Sequence, residues 1–235
     1  MTRQVQRWHI YQDIDELVSH AERAVMRAAA QARVRRGRFD LVLAGGTTPR
    51  TLYERLAAAN AGSVRWQVWF GDERCLPEGH DERNESMARD AWLSASDIPE
   101  QQIHAIRGGL DPETAARSYA GALAGVEAFD LVLLGIGEDG HTASLFPGQP
   151  KGLDQGAADA VGVTDAPKPP PERVSMSASR LSRARQVLVL ATGASKAEAV
   201  ARWRRGEDLP IAHITPPSGV DILADPQALP SPDRQ

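Results

Sequence analysis

The chain has 235 residues, 42% hydrophobic and 25% charged, enough for a sizeable core in one large α/β domain or two small ones. A net charge of −4 excludes a global basic field for nucleic acid, so an anionic ligand must be held by local arginines, lysines and backbone amides. The one cysteine, Cys75, excludes an intrachain disulfide, and no apolar run approaches the roughly 20 residues of a membrane span, so we expect a cytoplasmic protein that binds neither membrane nor nucleic acid.

Trp8 to Tyr11 reads as a short strand. Asp13 to Arg36 follows as a helix, with apolar residues at Ile14, Leu17, Val18, Ala21, Val25 and Ala28, an N-cap at Asp13 with Glu16 three residues on, and a stop at Gly37. Phe39 to Ala44 is a buried strand, and Gly45-Gly46-Thr47-Thr48-Pro49 opens a helix running to about Asn60. Trp66 to Phe70 is the next strand, ending in Gly71-Asp72-Glu73-Arg74. Gly79 to Arg83 is a charged loop, Asn84 to Leu93 a helix, Gln102 to Ile106 a strand, and Asp111 to Val126 a helix opened by Asp111 and Pro112. The apolar run from Phe129 to Leu134 is a buried strand that ends in Gly135-Ile136-Gly137-Glu138-Asp139-Gly140-His141.

Gly148 to Glu172, rich in Gly, Asp and Pro, reads as a long surface excursion. Arg173 to Met176 re-enters the sheet, Ser179 to Ala184 is a short helix, Gln186 to Ala191 a strand and Ala194 to Arg204 a helix. Ile211 to Ile214 and Val220 to Leu223 read as late, weaker strands, and the Pro-rich tail from about Asp225 as loosely held. The alternation predicts a single α/β domain over 1–235, with three layers, α/β/α, around a mainly parallel, Rossmann-like open sheet.

In such a sheet the turns after the strands share one edge, where ligands bind. Three of them carry chemistry. At Gly45, Gly46 and Thr47 a glycine-rich turn meets a helix N-terminus, which suits phosphate; the same residues also make a plain tight β–α turn with threonine as N-cap. The missing Gly-Lys-Ser/Thr ending argues against a nucleoside triphosphate. Arg74 has the fork geometry to grip a phosphate or carboxylate, or else pairs with Asp72 or Glu73 at the surface. Cys75 beside it reads as a small buried filler, and His80, Asp81 and Glu82 as a solvated loop rather than a metal site. Asp139 and His141 pair an acid with an imidazole at a strand end, the makings of a general base near neutral pH. Lys196, on a fourth strand-to-helix turn, and Arg173, after Pro169-Pro170-Pro171, are further cations for the site or surface charges.

Ala44 to Pro49, Trp69-Phe70-Gly71-Asp72-Glu73-Arg74, Asn84 with Met87-Ala88-Arg89, Gly135 to Gly148, and Gly193-Ala194-Ser195-Lys196 occur in this order, and together they resemble the 6-phosphogluconolactonase family. The resemblance runs from about Phe39 to Arg204. It implies hydrolysis of 6-phospho-D-glucono-1,5-lactone to 6-phosphogluconate in the oxidative pentose phosphate pathway, without cofactor or metal, the partner being the sugar phosphate lactone alone. It implies His141 as general base, with phosphate held by Arg74, Lys196 and the Gly45, Gly46, Thr47 turn, and an arginine at Arg173; the pairing itself gives Asp139 the part of orienting His141. Ser177 to Arg180 depart from the more apolar segment expected, and Val220 to Leu223 lack an expected tryptophan.

Three rivals stand beside it. Amino-sugar-phosphate isomerase-deaminases resemble the chain in the Gly-Asp-Gly-His turn but carry a glutamate soon after the histidine, where this chain has Thr142, Ala143, Ser144, Leu145 and Phe146. A nicotinamide site would match Gly135 to Gly140 but wants a helix directly after the glycines. A non-catalytic sugar-phosphate-binding protein explains the cations but not Asp139 with His141. The residues name no oxyanion donor; an amide near Gly140 is the candidate.

Overall fold

The computed structural model describes residues 4–154 and 156–230. The chain order is β1 (Gln6–Ile10), α1 (Ile14–Arg36), β2 (Phe39–Leu43), α2 (Thr47–Ala58), β3 (Trp66–Phe70), β4 (Asp72–Arg74), α3 (Asn84–Ala91), β5 (Ile103–His104), α4 (Pro112–Leu123), β6 (Leu131–Gly135), β7 (Ala160–Val163), β8 (Arg173–Met176), α5 (Ala178–Ser182), β9 (Val187–Ala191), α6 (Ala197–Arg204) and β10 (Val220–Ala224). Seven strands form one sheet in the order β1-β10-β9-β6-β2-β3-β5, every pairing parallel. Helices flank it, as expected. The central strands β2 and β9 are buried at every residue, which is why they read as unbroken apolar runs.

Local chemistry sets the element ends. The Asp13 carboxylate accepts the Glu16 N–H at 2.8 Å, and the Glu16 carboxylate accepts the Gln12 N–H at 2.8 Å, so α1 starts from reciprocal caps. Gly37 ends α1 in the left-handed conformation, φ 75°, its N–H donating to Arg33 C=O.

The strand order places a topological switch between β2 and β6. From β2 the chain crosses to β3 on one side; from β6 it reaches β9 on the other. The crevice beyond the C-terminal ends of these strands is therefore where this architecture admits a ligand.

Four segments differ from expectation. Arg173–Met176 forms β8 but does not re-enter the parallel sheet, because its ladder partners are β4 and β7. The excursion from Gly148 to Glu172 contains β7, which joins β8 and β4 in a second, antiparallel sheet. Gly162 in β7 lies so close to the Pro112 backbone that a Cβ would overlap it, so a residue type that reads as loop punctuation serves close packing. Pro210–His213 is a 3-10 turn rather than a strand, its buried Ile211 facing inward. Asp225 to Pro230 belong to the packed fold: Asp225 is 4% exposed and opens a 3-10 turn at Pro226–Ala228, with Ala228 fully buried. The rest of that expected tail, 231–235, lies outside the described residues.

Candidate active site

The turn after β6 carries the acid–imidazole pair. His141 Nδ1 lies 2.6 Å from Asp139 Oδ1. An ionised carboxylate only accepts, so Nδ1 carries the hydrogen and the neutral ring keeps its lone pair on Nε2. Asp139 also accepts the His141 backbone N–H at 3.1 Å. Burial works to raise the Asp139 carboxyl, but the bonds from His141 outweigh it and hold the group well below the usual carboxylate range. The ring lies against Gly137, where a Cβ would overlap the imidazole, and its centroid is 5.0 Å from that of Phe146. The imidazole is thus fixed on three sides and stays 22% exposed. The amides near Gly140 are occupied: Gly140 N–H donates to Gly137 C=O, and His141 N–H to Asp139. They are not free to serve an oxyanion.

The turn after β2 presents free donors. Gly46 caps α2 with φ 109° and no side-chain hydrogen bond. Arg50 N–H closes onto Gly46 C=O and Pro49 has no N–H, so the amides of Thr47 and Thr48 point beyond the helix end without a helical acceptor. Gly45 has a different role from the one its type suggests: a Cβ there would overlap the Asn84 carboxamide. Its smallness admits Asn84, a buried side chain whose Nδ2 donates to Asp72 C=O at 2.9 Å and Asp72 Oδ1 at 3.2 Å. Asp72 Oδ2 accepts the Ser144 hydroxyl at 2.6 Å, and Ser144 N–H donates to Ser175 Oγ at 3.2 Å. This buried network ties the β2 turn, β4, α3, the segment after His141 and β8 together. Sequence reasoning placed Asn84 in a motif without a role, because its partners are distant along the chain.

The two arginines come from β4 and β8. Their antiparallel register pairs Arg74 with Arg173 and Asp72 with Ser175, so all four side chains share one face. Arg173 is 6% exposed. Its Nε donates to Pro170 C=O at 3.0 Å and its Nη2 to Lys168 C=O at 2.8 Å and Pro169 C=O at 3.3 Å. Burial lowers its pKa, and Arg74 lowers it further, against Asp72. Its guanidinium lies 5.8 Å from the Phe146 ring centroid, so Phe146 neighbours both this cation and His141. Arg74 is half-buried, with Nη1 on Glu82 C=O and Nε unpartnered. Asp72 and Glu73 are not its surface partners. Glu73 is buried and accepts the N–H groups of Arg74, Asn84 and Glu85 at 2.7–2.8 Å, capping α3 from outside. Burial pushes Glu73 up to about 7, against those bonds and Arg83. Cys75 is half-buried with its thiol pushed up to about 11 by burial, unfit as a nucleophile near neutral pH.

Lys196 ends a 3-10 turn after β9, half-buried, with no side-chain partner among the described residues. No hydrogen bond joins it to His141 or Arg74. Its turn is nevertheless stitched to the β2 turn by the Thr48 and Thr192 hydroxyls, 2.6 Å apart. His80 accepts the Glu82 N–H in a local turn, and no three His, Cys, Asp or Glu side chains gather as a metal-ligand group among the described residues. A groove of about 1470 Å³, lined by Trp8, Trp203, Pro147 and His213 among others, contains none of the expected site residues.

Comparison with known proteins identifies the family. Residues 12–223 match the family model described as glucosamine-6-phosphate isomerases/6-phosphogluconolactonase. A 6-phosphogluconolactonase of Streptomyces coelicolor is 38% identical over 216 residues, covering 80% of this chain and 82% of its own. The solved structure of 6-phosphogluconolactonase from Trypanosoma brucei superposes with a TM-score of 0.80 at 27% identity, covering 96% of this chain and 98% of its own. A monomeric glucosamine-6-phosphate deaminase shares the fold, with a TM-score of 0.80 at 22% identity over 94% of this chain and 98% of its own, so fold alone does not choose the reaction. The chain belongs to the glucosamine-6-phosphate isomerase/6-phosphogluconolactonase family.

Proposed function

We propose that the chain hydrolyses 6-phospho-D-glucono-1,5-lactone to 6-phosphogluconate, with His141 as general base. The observation that carries this reading is the Nδ1–Asp139 bond of 2.6 Å, which leaves Nε2 of a held ring as the proton acceptor. No carboxylate follows among Thr142 to Phe146, where a ring-opening deaminase would need one.

In the proposed reaction Nε2 takes a proton from water as the water oxygen bonds to C1. The lactone carbonyl becomes an alkoxide, and Asp139 stabilises the imidazolium. Collapse breaks the bond from C1 to the ring oxygen, which takes the proton from His141. The new carboxylic acid loses its remaining proton to solvent. A positioned base of this kind contributes about 10²–10⁴-fold.

The phosphate would be held by Arg74, Arg173 and Lys196 with the amide end of α2 at Gly45, Gly46 and Thr47. Arg74 follows β3 in the chain and pairs with Arg173, while Lys196 follows β9; β6 and β2 lie between β9 and β3 in the sheet order. Binding energy at the phosphate then positions the carbonyl beside the water. The reading carries a cytoplasmic setting with it, in keeping with a lone cysteine.

The test is a lactonase assay with substrate generated in situ by a glucose 6-phosphate dehydrogenase, with spontaneous hydrolysis subtracted. Acceleration is expected, with no ammonia release from glucosamine 6-phosphate. A rate equal to the spontaneous one overturns the reading.

A further inference from the structure

Asp225 stands out as a buried acid that the proposed chemistry does not use. It follows β10 at the same sheet edge as the site and is 4% exposed. Its two carboxylate oxygens accept the Gly193 N–H at 3.1 and 3.0 Å, and Oδ1 also accepts the Ala228 N–H at 2.8 Å. Gly193 is the pivot of the turn after β9: its φ of 87° lies in the left-handed region, and space is open where a Cβ would stand. On one side of Gly193 is Thr192, whose hydroxyl meets Thr48 of the β2 turn at 2.6 Å. On the other side, Gly193 C=O accepts the Lys196 N–H at 3.0 Å and closes the 3-10 turn.

A buried carboxylate near an anion site works against binding by its charge, so its place needs a reason. The bond to Gly193 supplies one. It fixes, from below, the peptide that sets where Thr192 and Lys196 stand relative to α2. We propose that Asp225 is a positioning residue for the phosphate end of the site, acting through Gly193 on Thr192 and Lys196. The inference rests on the reading of Lys196 as a phosphate ligand.

The test compares Asp225→Asn with Lys196→Ala in the full chain, using the phosphorylated lactone and unphosphorylated gluconolactone. Asparagine keeps the shape but sets an N–H group against the Gly193 N–H. The loss of one charge-assisted hydrogen bond predicts a KM for the phosphorylated lactone raised about tenfold, kcat within about twofold, and no change on the unphosphorylated lactone. Adding Lys196→Ala should raise KM by less than the product of the two single effects. Gly193→Ala, which has room for the methyl but not the backbone angle, should give the same KM signature and serves if Asp225→Asn folds poorly. Folded Asp225→Asn and Gly193→Ala proteins with wild-type KM, alongside a raised KM in Lys196→Ala, overturn the inference alone. Wild-type KM in Lys196→Ala overturns the phosphate reading, and the inference with it.

Discussion

Arg74 and Arg173 are direct partners across the antiparallel β4–β8 ladder, two guanidinium groups on one face. Like charges set opposite each other destabilise a strand pair unless an anion lies between or beside them. Asp72 on the same face offsets part of this, but its oxygens already serve Asn84 and Ser144. The arrangement suits a dianionic ligand. Arg74→Ala should raise KM for the phosphorylated lactone by about 10–100-fold at little cost in stability. Arg173→Ala should raise KM and also lower the melting temperature by several degrees, roughly, because three carbonyls lose their donor. Unchanged KM in both variants would remove the arginine pair from the phosphate site.

His141→Ala should lower kcat by about 10²–10⁴-fold with a modest change in KM, since the base acts in the transition state rather than in ground-state binding. Steady-state kinetics on freshly made lactone decide it. A variant that kept the wild-type kcat would leave His141 without a catalytic role.

Asp139→Asn tests the orienting acid twice. Loss of the Nδ1 acceptor should lower kcat by about 10²-fold or more. The second readout is stability against pH. The folded Asp139 carboxyl is held below its ordinary 3.8, so as pH falls the unfolded chain takes up the proton first. Its contribution is present above 3.8 and is lost as pH drops through the folded value. Melting curves from about pH 5 to about pH 2 should therefore fall less steeply for the variant. Identical slopes would show that the pair contributes nothing to acid stability.

Gly45→Ala should cost about 1–3 kcal/mol, since the methyl would overlap the Asn84 carboxamide. The cost should shrink when Asn84→Ala is made in the same chain, because the overlap disappears. Equal destabilisation in both backgrounds, by chemical denaturation, would mean that Gly45 is required for another reason.

Arg180 is fully buried, with its guanidinium 4.1 Å over the Phe129 ring, Nε and Nη2 without a hydrogen bond, Nη1 3.5 Å from Glu127 C=O, and a 3.7 Å ion pair to Asp159, which also pairs with Arg183. Burial lowers its pKa to about 10. A buried cation so thinly compensated is replaceable by an apolar side chain of similar reach, so Arg180→Met should be neutral or stabilise by about 1–4 kcal/mol. A marked fall in melting temperature would show that the contact with Phe129 outweighs the desolvation.

The parts legible in the sequence are those in which one stretch of chain carries its own signal. The caps of α1, the apolar runs of β2, β3, β6 and β9, and the pairing of Asp139 with His141 across two residues are of this kind. What was hidden depends on partners far along the chain. β7 is four residues, Ala-Val-Gly-Val, inside a Gly- and Pro-rich stretch, and its glycine is explained only by α4 beneath it. Ile211 and Ile214 suit either a strand or the three-residue period of a 3-10 turn, and Pro210 at the start is compatible with the latter. Asn84, Glu73 and Asp225 are polar residues that looked like helix starts, charged turns or tail. Their burial follows from the backbone amides they accept from, or the Asp72 oxygens they donate to.

The hydrogen-bonded pairing of β1 with β10 has a consequence for biogenesis. During synthesis Gln6–Ile10 leaves the ribosome some two hundred residues before Val220–Ala224, and until then β1 lacks the neighbour it has in the finished sheet. The β10-β1 flank can close only after translation of β10, and Asp225, one residue beyond, arrives with it. A chain truncated before Val220 would lose the ladder partner of β1 and keep an open edge along β9.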